Sequence, residues 1–202
     1  VTWRRPDPKI ALTGVVLFWG DSLVAGSLAP GYDLTSDYVS SLAGRGSAVA
    51  PIGILAIACL GLAHLLAAAT VRGAVAVPLV LAGVAGLTVA SFRTACPLGA
   101  AGCGTAPNTA ADLPGTVHVL AVGVYEVATV VAMLLFAFSR HRDEKAFALV
   151  GIVAAAASVL LLLQTGAAYN GLWQRGWLLV NTGWLVALLL TRKRAHRRQG
   201  SG

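Results

Sequence analysis

Apolar residues gather in six runs of roughly 20 positions, at about 10–29, 49–71, 73–92, 114–138, 146–168 and 174–191, with polar stretches between them. A run of this length crosses a hydrocarbon core of about 30 Å at 1.5 Å per residue. The pattern predicts an all-α integral membrane bundle of six transmembrane helices, folded as one membrane domain over residues 1–199. Gly200, Ser201 and Gly202 are set aside as a cloning remnant. The short links at 72 and 139–145 predict helical hairpins. Pro51, Pro78 and Pro114 stand near span starts, where a missing N–H costs least. The first run follows Arg4, Arg5 and Lys9, but it is as long as the others and lacks a small-residue cleavage site. It reads as a span and not as a cleaved signal.

Charge then gives the spans a direction. With the N-terminus inside, twelve of the 15 Lys and Arg residues fall on the inner side, and only Arg45, Arg93 and Arg175 fall outside. The positive-inside rule places both termini in the cytoplasm. The basic tail TRKRAHRR reads as the stop signal of the last span. The net charge of +7 is accounted for by topology and calls for no nucleic-acid partner. Composition agrees: 57% of residues are hydrophobic, 11% are charged and the mean hydropathy is +0.77, where soluble domains carry about 25% charged residues.

This topology turns the polar loop SFRTACPLGAAGCGTAPNTAADLPGTVH outward, into an oxidising space. A Cys96–Cys103 disulfide is expected there. Cys59, within a span, reads as packing.

Ionisable residues inside spans are costly. Asp21 and Glu126 lie at similar depth, about 16 Å and 18 Å from their span ends at 1.5 Å per residue, and His64 lies slightly nearer the cytoplasm. They serve either as a proton relay or cation site, or as interhelical bonds that fix packing. Span 4 carries His118, Val122, Tyr125 and Thr129 on one stripe, with Glu126 at its edge. Span 6 carries Gln174, Trp177, Asn181 and Trp184 on another. Such stripes face the bundle, as packing contacts or as the lining of a cavity open to the outside. His64 and His118 are too far apart in depth, by roughly 14 Å, to share one haem iron. No HExxH, GxSxG or phosphate-cradling loop occurs, and no metal site or cofactor is expected.

The stretch PGYDLTSDYVSSLAGRGSA joins spans 1 and 2 on the outer side. Ser36 and Asp37 read as the N-cap of a short amphipathic helix stopped by Gly44, lying on the membrane surface or over the bundle. Asp37, Asp112 and His118 are candidates for acid–base chemistry on lipids at this face.

The order of PGYDLTSDYVSSLAGRGS, then GTVHVLA, then GLWQRGWLLVNTGW resembles the bacterial membrane proteins of domain-of-unknown-function family 998. The matching positions are Pro30, Gly31, Tyr32, Ser40, Leu42, Gly44, His118, Gly171, Gln174 and Arg175. The cysteine pair is not part of that pattern. The resemblance covers nearly the whole chain and implies six spans, with no established activity.

Three functions remain open. The first is a binding or accessory protein with an outward-opening cavity for a lipid-like or hydrophobic ligand, lined by His118, Tyr125, Gln174, Arg175, Trp177 and Asn181. The second is a small proton-coupled transporter using Asp21 and Glu126, which would be expected to work as a homodimer. The third is a membrane enzyme acting on lipid at the outer face. The bilayer is the one expected partner common to all three; a second membrane protein is also admitted.

Overall fold

The computed structural model of the chain describes residues 6–71, 73–94, 113–140 and 145–199. Six α-helices follow one another: α1 (Pro8–Leu28), α2 (Ala50–Thr70), α3 (Ala76–Ser91), α4 (Leu113–Arg140), α5 (Lys145–Gln164) and α6 (Asn170–Gln199). No strand forms among the described residues. α1, α2, α4 and α5 are long and apolar enough to cross a membrane. α3 is equally apolar but has only 16 residues, about 24 Å at 1.5 Å per residue. α6 runs for 30 residues and interrupts its apolar positions with Gln174, Arg175, Asn181 and Thr182. Of the expected prolines, Pro51 and Pro114 stand second in α2 and α4 and Pro78 third in α3; Pro8, at the start of α1, was not anticipated. Pro8 and Pro51 occupy the first or second positions of α1 and α2, and the Asp7 carboxylate accepts the Lys9 N–H at 2.9 Å to cap α1.

Each helix packs against the next, and α1 closes on α6. At that seam the Trp19 indole N–H donates to the Thr182 hydroxyl at 3.2 Å. Close approach depends on small residues, because lipid offers no hydrophobic drive for helices to associate. At the α2–α3 contact a Cβ on Gly61 would stand 2.9 Å from the Gly83 carbonyl oxygen. Large side chains divide between the two faces. Met133, Phe136, Trp184, Leu185 and Leu188 fill one half of the interior, and Phe18, Leu60, Tyr125 and Trp177 fill the other. Leu17, Leu23, Val127, Leu160 and Leu163 point outward, a distribution suited to a hydrocarbon solvent.

The segment between α1 and α2 differs from its expected form. Its helix is a single 3-10 stretch, Val39–Ala43, with Tyr38 at its N-cap position and no side-chain cap bond. The Asp37 carboxylate turns back to accept the Asp33 N–H at 2.8 Å. The Asp33 carboxylate in turn takes the Thr35 N–H at 2.7 Å and the Thr35 hydroxyl at 2.8 Å. These local turns compete with an α-helical start. All five residues of the 3-10 stretch are buried, so of the two expected positions it takes the one over the bundle.

Candidate functional site

The 3-10 stretch works as a plug because one tight turn feeds three clusters. Val39 enters the cluster of Phe18, Leu60, Tyr125 and Trp177. Leu42 packs with Ala25 and Val49. Ala43 packs with Ile57, Val89 and Ala121. Two glycines allow the backbone to come this near. A Cβ on Gly53 would stand 2.6 Å from the Leu42 carbonyl carbon, and one on Gly171 would run into the backbone of Asp37.

The start of α6 fastens the segment. The Gln174 side-chain oxygen accepts the Val39 N–H at 2.6 Å. Arg175 donates to the carbonyls of Leu34, Asp37 and Gly171, the latter two at 2.9 Å, and to the Tyr32 hydroxyl. Its guanidinium carbon lies 5.6 Å from the centroid of the Tyr32 ring. The Leu172 N–H donates to the Thr35 carbonyl at 3.0 Å, and the Tyr38 hydroxyl donates to the Thr165 carbonyl. Burial pushes the phenols of Tyr32 and Tyr38 up from their usual range, and for Tyr32 the Arg175 charge pulls the other way. Hydrogen bonds from Thr35 hold the Asp33 carboxyl below its usual range.

Beneath the plug is a cavity of about 50 Å³. Tyr125, Gln174 and Trp177 line it together with Phe18, Leu60 and Val122, and Val39 and Ser40 of the plug form part of its wall. The space suits a small apolar group and is far below the ~300–1,000 Å³ of ordinary ligand pockets.

A polar cluster adjoins the cavity through Trp177. Glu126 Oε2 accepts the Trp177 indole N–H at 2.7 Å and the Ser158 hydroxyl at 2.9 Å. The Asn181 amide donates to Ser158 Oγ and to the Trp177 carbonyl, each at 2.9 Å. Behind Tyr125, outside the cavity lining, the His64 Nδ1–H donates to the Leu60 carbonyl at 2.9 Å, and the Tyr125 hydroxyl lies 3.4 Å from Nε2. The His64, Tyr125 and Trp177 rings meet edge to face, with centroids 5.2 Å and 5.7 Å apart.

The stripe residues therefore separate by place. Tyr125, Gln174 and Trp177 share the cavity, Asn181 joins Glu126, and Arg175 holds the plug from above. His118 is buried and spends Nδ1–H on the Phe92 carbonyl at 2.8 Å, where α3 ends with an unsatisfied carbonyl. His64 and His118 bond to different groups at different places. Asp21 sits on α1, one carboxyl oxygen buried without a hydrogen-bond partner. Asp37 is buried in the plug, away from the His118–Phe92 contact. Asp112, Cys96, Cys103 and the expected disulfide lie outside the described residues; Cys59 is a buried free thiol. Among the described residues no group of three or more His, Cys, Asp or Glu side chains is placed to hold a metal ion. Ser158 was not anticipated. Its signal was its isolation as the one hydroxyl residue within α5, in FALVGIVAAAASVLLLLQ.

Six of the ten positions that carried the family resemblance meet here. Tyr32, Ser40, Leu42, Gly171, Gln174 and Arg175 build the plug and its fastening. A family model described as "Protein of unknown function (DUF998)" matches residues 12–191. The chain belongs to this family. No curated protein and no solved structure matches it.

Proposed function

We propose that this DUF998 protein is a membrane-embedded binding protein whose site is the cavity beneath the 30–49 segment, with that segment as a removable cover. In this reading all six helices span the cytoplasmic membrane of a bacterium, both termini are cytoplasmic, and the cover lies on the outer side, as the distribution of Lys and Arg suggests. The observation that carries it is the makeup of the cavity wall. Val39 and Ser40 of the cover form one side, and the buried Tyr125 and Trp177 form the other. Lifting the cover thus opens the same space to the outer leaflet. The ligand is hydrophobic and presents a narrow end, such as the tip of an acyl chain, since the closed space admits no more. Gln174, freed from Val39, offers it one polar contact.

Native mass spectrometry of protein released from mild detergent tests this. A discrete, stoichiometric added mass is expected on the wild type and is expected to be lost in Val122→Phe, which fills the cavity from α4. A bare mass, or only bulk phospholipid adducts shared by both proteins, rejects the reading.

A further inference from the structure

The cluster around Glu126 is short of donors. Glu126 is 6% exposed and Asn181 is fully buried. Every donor within the cluster is used: the Trp177 N–H and the Ser158 hydroxyl on Glu126 Oε2, and the Asn181 amide on Ser158 and the Trp177 carbonyl. Two acceptors are left over. Glu126 Oε1 and Asn181 Oδ1 are buried, and no donor among the described residues reaches either. Trp184, one turn further along α6, has a buried N–H that reaches no acceptor and so serves neither oxygen. The Ser158 hydroxyl bridges the two side chains, so both spare oxygens belong to one three-helix junction of α4, α5 and α6.

An acceptor-rich junction built around a carboxyl group calls for something electropositive. An apolar group would leave both oxygens unpaired, and an anion would be repelled. It also calls for something small, because Glu126 and Asn181 do not line the neighbouring cavity. We propose that Glu126 Oε1 and Asn181 Oδ1 form an intramembrane site that takes up one small positive charge, a proton or an alkali cation, from solution. This site is separate from the hydrophobic cavity and does not depend on what the cavity binds. Trp177 touches both, with its N–H on Glu126 and its ring in the cavity wall. Few other titratable groups surround the site. Tyr125 is next in sequence on α4, His64 on α2 is engaged by Tyr125 and Leu60, Asp21 lies on α1, and α3 supplies no titratable side chain.

The chain has two glutamates, Glu126 and Glu144, which makes the site directly observable. In Glu144→Gln protein grown with carboxyl-labelled ¹³C-glutamate, Glu126 is the only labelled side-chain carboxyl. Its infrared band is followed across pH, and with sodium or potassium replacing choline. Proton uptake is expected to convert a carboxylic acid band to a carboxylate band as pH rises, unaffected by the cation present. Alkali uptake is expected to shift a carboxylate band on addition of sodium or potassium, with no shift in Asn181→Ala. Unlabelled background is removed by subtracting Glu126→Gln spectra; if that variant does not fold, protein grown without label serves. One fixed band at every pH and with every cation overturns the proposal and leaves Glu126 as an interhelical bond.

Discussion

Arg175 and Tyr32 are joined twice, by a hydrogen bond from the guanidinium to the phenol and by the seating of the guanidinium near the ring. The same guanidinium collects three backbone carbonyls. A planar fork can serve several acceptors at fixed angles, and an ammonium cannot do this equally well. Arg175→Lys is therefore expected to loosen the cover by about 2–3 kcal/mol, roughly a 30- to 150-fold rise in its opening. The labelling rate of a sole cysteine placed at Ser40 measures that opening. An unchanged rate would mean that Arg175 does not fasten the segment.

Gly171 and Gly183 both lie on α6 but have opposite surroundings. A Cβ at 171 meets the backbone of Asp37, while one at 183 meets nothing within 4 Å. Gly171→Ala is expected to cost about 1–3 kcal/mol, because backbone on one side or the other must shift. Gly183→Ala is expected to be neutral or to stabilise by up to about 1 kcal/mol through helix propensity. Thermal melts of the two purified variants compare them directly. Equal melting would contradict the close contact at 171.

The raised phenols of Tyr32 and Tyr38 link the cover to alkaline pH. A group whose folded value lies above its unfolded value stabilises fully below the unfolded value, about 10 for tyrosine. That contribution is lost as pH rises from there through the folded value. The melting temperature is expected to fall above about pH 10, and less steeply in a Tyr32→Phe, Tyr38→Phe double variant. In an absorbance titration, the signal removed by Tyr32→Phe is expected to come from the high-pH part of the curve. If it comes from the ordinary tyrosine range, Tyr32 is not buried as described.

Helix positions were readable because lipid forces long apolar runs, and the starts of α1, α2 and α4 fall within about three residues of expectation. The end of α5 at Gln164 was not, because the turn that follows, Thr165–Tyr169, is uncharged and includes Ala167 and Ala168, so the apolar run continues past the end of the helix. The stripe on α6 correctly pointed Trp177 and Asn181 inward. It was silent on depth, and so merged the cavity wall with the Glu126 junction. His118 shows the limit most clearly. Its position on the stripe gave no sign that the end of α3 would claim its ring. The form of the cover was hidden for a similar reason. Ser36 and Asp37 carry the residue types of a helix cap, yet the Asp37 carboxylate turns back to the Asp33 N–H and Tyr38 takes the cap position.

Ser158 is the link between Glu126 and Asn181, so its removal has a specific signature. Ser158→Ala takes one donor from Glu126 and one acceptor from Asn181, while Trp177 continues to serve both. Interhelical hydrogen bonds in membranes average about 0.6 kcal/mol, with a maximum near 1.7. Ser158→Ala is expected to fall within that range. Asn181→Ala breaks the same bond from the other side, so the double variant is expected to be less destabilised than the sum of the singles by about 0.5–1 kcal/mol. A double-mutant cycle on unfolding free energy, measured in bicelles, reads this coupling. Additive losses would show that the two residues act independently, and the junction would then be two separate contacts instead of one connected network.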